Sequence, residues 1–144
     1  MSTEDNKALV RRWWGAYNTG TIDFETFIHP LVANYAAPPP VRDGIANFKM
    51  IIDSTFASVP DQLWEIDKLI AEGDLVACHM TWSGTHQGSV GLFAGIEPTG
   101  KHFSVKHVHT FRISEGNVSG HWAVRDDLGM FRQLGVISTL PKTD

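Results

Sequence analysis

Cysteine occurs once in the 144 residues, at Cys78. A lone thiol excludes a disulfide framework, and without a second cysteine there is no CxxC zinc knuckle. No apolar run reaches ~18 residues, so a membrane-spanning helix is not expected. The opening stretch MSTEDNKALV is polar and acidic, unlike a secretory signal. Positive charge is also scarce: 12 Lys and Arg against 16 Asp and Glu give a formal net charge of −4. That balance offers no basic surface to nucleic acid or to an anionic membrane. Repeats and low-complexity segments are absent, and Gly100-Lys101 stands outside any phosphate-binding Walker context. The expected setting is a reducing cytoplasm.

What is present is a globular composition, 42% hydrophobic and 19% charged, enough to fold as one domain over residues 1–144. Residues 4–18 place Leu9, Trp13 and Tyr17 at helical spacing, flanked by Val10 and Trp14. Ser2 or Thr3 would cap that helix and Gly20 would end it. IDFETFIHP predicts a short second helix stopping at Pro30, and NYAAPPPVRDG a loop. IANFKMIIDSTFASVP predicts a third helix with Phe48, Ile51, Ile52 and Phe56 along one side. The period then changes. Two hairpins follow, with tips at Ala71-Glu72-Gly73 and Ser114-Glu115-Gly116. Helices first and strands second give an α+β fold, a curved antiparallel sheet closed by helices around a pocket, which favours a small-molecule function.

Both tips end in glycine, which suits a three-residue loop with a G1 bulge. In that register His109 falls opposite His121 and His107 opposite Ala123. One face then carries His107, His109, Phe111, His121, Ala123 and Arg125, and the other Val108, Thr110, Trp122 and Val124. A slip of one residue would scramble both groups. The second face is apolar, and a homodimer packing through Val108, Trp122 and Val124 would cover it. The first hairpin sets Trp64, Ile66, Cys78 and Met80 on one face. Glu65, Asp67, Ala77 and His79 share the other, with Glu65–His79 as a surface pair. Which face is inward stays open. The three clustered histidines fit a catalytic wall, half-buried structural residues, or a metal site, although no carboxylate joins their face. Arg125 fits either a solvated arginine or a partner for a substrate anion at the cavity mouth.

LIAEGDLV, GTHQG, PTGKHFS, FRISEGNVSGHW and DDLGMFRQLG, in this order, resemble the SnoaL-like polyketide cyclase family within the nuclear-transport-factor-2-like folds. VRRWWGAYNTG followed by FIHP is similar to its anthracycline-type cyclases. The resemblance implies an α+β barrel around a hydrophobic cavity, an aromatic polyketide substrate and no bound cofactor or metal. It also implies that Tyr17 lines the cavity from the first helix and that His109 is the active-site histidine. His107 stands where those cyclases keep a glutamine, and Phe48 or Asn47 near a missing helix-three asparagine. Asp126 corresponds to a second, downstream aspartate. The acid/base aspartate position itself is occupied by Ala123, in HWA.

An aldol cyclisation needs a group that takes a carbon proton and returns one to the developing alkoxide. Alanine does neither. The first functional expectation is therefore the hydroxylase-like branch of the family, with molecular oxygen as co-substrate and a separate reductase supplying electrons. His109 would be the base, His107 its assistant and Tyr17 a ligand for a substrate oxygen, with Trp13, Phe48, His121, Ala123 and Arg125 contacting substrate. The second expectation is an ester cyclase whose acid/base work has moved to His107 and His109. The third is a non-catalytic binding module, since fold does not fix function.

Overall fold

The computed structural model describes residues 1–138. Helix α1 spans Thr3–Thr19 and starts on a capping box, Ser2 Oγ accepting from Asp5 N (3.0 Å) and Asp5 Oδ2 from Ser2 N (3.0 Å). It ends at Gly20 in the left-handed region (φ 66°), the conformation that stops a helix most cheaply with glycine. Leu9, Val10, Trp13, Trp14 and Tyr17 are its buried stripe.

The expected second helix is corrected. It is a single turn, α2 (Phe24–Phe27), and the chain continues as strand β1 (Ile28–Asn34) straight through Pro30. Proline survives there because β1 is an edge strand and Pro30 is exposed, so its missing N–H is not needed by a second neighbour. The remaining elements are α3 (Ile45–Ser58), β2 (Leu63–Glu72), β3 (Leu75–Thr85), a 3-10 turn at Gly91–Phe93, β4 (His102–Ser114), β5 (Asn117–Arg125) and α4 (Asp127–Gln133). The five strands run β1-β5-β4-β3-β2, antiparallel except for the parallel β1–β5 edge. The sheet stays open, with α1 and α3 lying over its concave face and completing the enclosure.

Both hairpin turns hold two residues instead of the three expected. Glu72 pairs with Leu75, and Ser114 with Asn117. Glu115 (φ 52°) and Gly116 (φ 79°) are both left-handed, the pattern of a type I′ turn, whose twist matches the flanking strands. Such a turn alone would have moved His121 and Ala123 to the convex face. One extra residue prevents this: β5 carries a bulge at Ser119, between the pairs Ile113↔Val118 and Arg112↔Gly120. The register beyond it is Phe111↔His121, His109↔Ala123 and His107↔Arg125, two residues away from the expected one. A shift of two preserves the alternation, so the predicted face grouping survives while the predicted cross-strand partners do not.

The first hairpin is resolved similarly. Trp64, Ile66, Cys78 and Met80 face inward, and Glu65, Asp67 and His79 outward. A bulge at Asp67 sets Glu65 opposite Thr81 and His79 opposite Lys68, so the expected Glu65–His79 pair does not form. Asp67 instead meets Thr81 Oγ1 (2.8 Å) and Lys106 Nζ (3.0 Å). On the convex face, Trp122 stacks on Tyr35 (4.8 Å, 12°) with the Arg112 guanidinium 5.1 Å from its ring, while Val124 is 74% exposed.

Candidate active site

The concave face, α1, α3 and the 3-10 turn enclose a cavity of about 490 Å³. All eight site residues expected from the sequence line it: Trp13, Tyr17, Phe48, His107, His109, His121, Ala123 and Arg125. Aromatic rings form most of the remaining wall. Trp64 and Trp82, directly paired across β2 and β3, stack at 5.1 Å and 11°, and both indole N–H groups donate to Gln62 Oε1 (3.1 Å each). This shared acceptor holds the two rings parallel beside His107, Trp64 edge-on at 5.3 Å and Trp82 tilted at 5.4 Å. Trp14 and Trp64 flank His109 (5.2 and 5.0 Å), and Tyr17 stacks on Phe56 of α3 (5.2 Å). Such a slot suits a flat, largely apolar molecule.

The polar content of this slot is concentrated in one row. His107 Nδ1 lies 3.3 Å from His109 Nε2, and His109 Nδ1 lies 2.8 Å from His121 Nε2. His121 Nδ1 in turn lies 2.7 Å from Oδ1 of Asn34. His107 and His109 are neighbours because residues i and i+2 of a strand share a face. His121 reaches His109 along the diagonal, since its direct partner is Phe111. Asn34 enters from the parallel β1–β5 edge, where it pairs with His121. The other end of the row, His107 Nε2, is buried and has no hydrogen-bond partner among the described residues.

Burial favours the uncharged imidazole. It holds His107 at about 4 and His121 at about 3, with the Arg125 cation pushing both further down. His109 is held well below 6.5 by burial and by its two imidazole neighbours. At neutral pH the row is therefore three neutral imidazoles. Burial also raises the Tyr17 hydroxyl above the ordinary phenol range, so Tyr17 offers a hydrogen bond and not a phenolate. The Cys78 thiol, fully enclosed, is pushed up to about 12 and is not a nucleophile. Ala123 faces the cavity opposite His109, and Arg125 at the mouth is bound to Asp127 Oδ2 (3.0 Å). The imidazoles do not converge on a point, because both nitrogens of His109 are taken by the neighbouring rings. Among the described residues no three His, Cys, Asp or Glu side chains are placed to hold a metal ion.

One residue singled out in the sequence, Asp126, lies elsewhere: it caps α4, its Oδ1 accepting from Gly129 N (2.8 Å). His86 sits behind the wall. It donates from Nε2 to Gly88 O (2.8 Å), accepts at Nδ1 from Thr99 N (3.2 Å), and stacks on Phe93, which does line the cavity. The residue missed by sequence reasoning is Asn34, hidden in a stretch read as loop. Its signal was local: asparagine at the end of an extended run, ahead of a turn. Trp64 and Trp82 were missed as cavity residues because the inward face of their hairpin was undecided.

An open, curved five-stranded sheet with helices closing an aromatic cavity around buried polar groups defines a small-molecule enzyme of α+β architecture. More particularly, the chain belongs to the SnoaL-like polyketide cyclase family, whose model matches residues 7–134. It is 34% identical over 139 residues to the aklanonic acid methyl ester cyclase DnrD of Streptomyces peucetius, covering 94% of this chain and 92% of that one. Among solved structures it is similar to TsrD of Streptomyces laurentii, with a TM-score of 0.82, 31% identity, and coverage of 95% and 99% of the two chains. It is also similar to AclR of Streptomyces galilaeus, a proposed hydroxylase, with a TM-score of 0.83, 26% identity, and coverage of 98% and 91%. No helix among the described residues is long and apolar enough to cross a membrane.

Proposed function

We propose that the protein is a polyketide ester cyclase that closes a ring by intramolecular aldol condensation, with the histidine row in the place of a carboxylate. The observation that carries this reading is the row itself: three neutral imidazoles in an aromatic slot, with one nitrogen, His107 Nε2, left without a partner among the described residues. A neutral imidazole takes the proton from the carbon between two carbonyl groups. The enolate carbon attacks the internal carbonyl, and the imidazolium returns the same proton to the alkoxide oxygen. One proton leaves and one comes back, so the product is an isomer of the substrate and no co-reactant is consumed. The enolate also stabilises the imidazolium beside it, offsetting the burial that depresses its basicity in the free enzyme. The tryptophan and phenylalanine walls would hold the flat rings, the Tyr17 hydroxyl would bind a substrate oxygen, and Arg125 would meet the ester or a carbonyl at the mouth.

The identity to an ester cyclase over nearly the whole chain supports this reading over the hydroxylase first expected. Ala123 and the likeness to AclR favour the second. Hydroxylation places one oxygen atom on the ring and reduces the other to water, which takes two further electrons and hence a reductant such as the expected partner reductase. Incubation of the purified chain with an anthraquinone-type polyketide methyl ester under argon and under air separates the two. An isomeric cyclised product under argon supports the cyclase. A mass gain of one oxygen that requires air and a reductant supports the hydroxylase. The same reading keeps the homodimer through Val108, Trp122 and Val124, which sedimentation of the purified chain tests.

A further inference from the structure

We infer that Asn34 is a positioning residue that fixes the direction of the whole histidine row, leaving the lone pair at Nε2 of His107 as its one free base. The inference rests on the catalytic reading above and adds which atom accepts the proton and where the charge goes.

Asn34 Oδ1 accepts a hydrogen bond from Ala36 N at 3.2 Å, in the local turn that asparagine forms with the residue two places on. A backbone N–H only donates, so the Asn34 atom at this position must be the oxygen and not the amide nitrogen. The same oxygen lies 2.7 Å from His121 Nδ1. An oxygen acceptor there requires His121 Nδ1 to carry its hydrogen. A neutral imidazole has one N–H, so His121 Nε2 is a lone pair, and His109 Nδ1, 2.8 Å away, must be its donor. His109 Nε2 is then a lone pair in turn, and His107 Nδ1, 3.3 Å away, donates to it. The sequence ends at His107 Nε2, which must be unprotonated. That is the one row nitrogen without a hydrogen-bond partner among the described residues. Reversing the row would set two lone pairs against each other at Asn34 and strand an N–H of His107 in the interior, where an unsatisfied donor is costly.

The direction determines the proton's route. A proton taken from substrate at His107 Nε2 lets His107 pass its Nδ1 proton to His109 Nε2. His109 passes its own Nδ1 proton to His121 Nε2. The positive charge is then spread from His107, beside the enolate, to His121, whose Nδ1–H the Asn34 oxygen accepts. Returning the proton to the alkoxide reverses each transfer and restores the starting tautomers. His109, the base expected from the sequence, is in this arrangement the middle of the relay.

The test is a long-range proton–nitrogen NMR spectrum of the nitrogen-15 histidine-labelled protein at neutral pH. Wild-type protein is expected to show His107, His109 and His121 all as the Nδ1–H tautomer, with assignments from single His→Gln variants. Asn34→Asp keeps an oxygen acceptor and is expected to keep the pattern. Asn34→Leu is expected to lose it and to lower kcat on the order of 100-fold or more, the scale of effect when an active-site histidine holds the wrong tautomer, with KM little changed. An Nε2–H signal on any of the three in wild type overturns the inference, whether or not the Asn34 variants fold. The catalytic reading fails separately, if the tautomers are as stated but His107→Ala turns over at the wild-type rate.

Discussion

Lowering the pH from about 7.5 to about 5.5 protonates histidines in the unfolded chain while the buried row stays neutral. The unfolded state then binds more protons than the folded one, and stability must fall with pH. The window opens near 6.5, the ordinary imidazole value, and closes only near 4 for His107 and 3 for His121, where the folded protein titrates too. One pH unit below 6.5, each imidazole that stays neutral removes ~1.4 kcal/mol of stability. Three such rings remove ~4 kcal/mol, against the ~5–15 kcal/mol that a domain of this kind has in total. With a urea slope of ~2 kcal/mol per molar, the unfolding midpoint should drop by ~2 M over this interval. The assay is urea unfolding followed by fluorescence of the five tryptophans, with circular dichroism as a second probe. His109→Gln, which keeps a donor and an acceptor in the row, should shrink the drop by about a third. A midpoint that does not move between these two pH values would refute the reasoning, because it would mean the row is hydrated or charged in the folded protein.

Three other outcomes follow from the geometry. Deleting Ser119 removes the extra residue that the bulge accommodates and leaves Phe111↔His121 and His109↔Ala123 paired as before, so both faces are kept; thermal melting should stay cooperative, and loss of the transition would count against the register argument. Gln62→Leu strands the indole N–H groups of Trp64 and Trp82 and should cost ~2–6 kcal/mol by urea unfolding, at ~1–3 kcal/mol for each orphaned donor. Ala123→Asp places a carboxylate opposite His109; the acid limb of the kcat/KM profile should move up by about one pH unit or more, since an anion nearby favours imidazolium.

The helices were legible because their apolar spacing and caps agree: Leu9, Trp13 and Tyr17 between Ser2 and Gly20 specify both the stripe and its ends. The face carrying the histidines was legible for a subtler reason. Turn length was misjudged by one residue and a bulge was unforeseen, and the two displacements together preserved the alternation. The cross-strand partners, which do not benefit from that cancellation, were not readable. Bulges leave little trace in sequence, since neither Ser119 nor Asp67 is a residue type that demands one. Strand β1 was hidden because Pro30 stops most helices and most strands alike, and only its edge position makes it harmless. Without β1, Asn34 could not be placed beside His121. The sequence therefore showed three histidines on a wall but not the residue that orders them.

The central claim, that the unpaired Nε2 nitrogen of His107 removes a carbon proton from substrate, is tested most directly by hydrogen–deuterium exchange at the acidic methylene of an anthraquinone-type polyketide methyl ester, in heavy water under argon. This reading isolates proton removal from every later step and needs neither oxygen nor a reductant. Wild-type protein should exchange that position, and His107→Ala should exchange it on the order of 100-fold more slowly or worse, the contribution of a positioned general base. Exchange by His107→Ala at the wild-type rate would contradict the account.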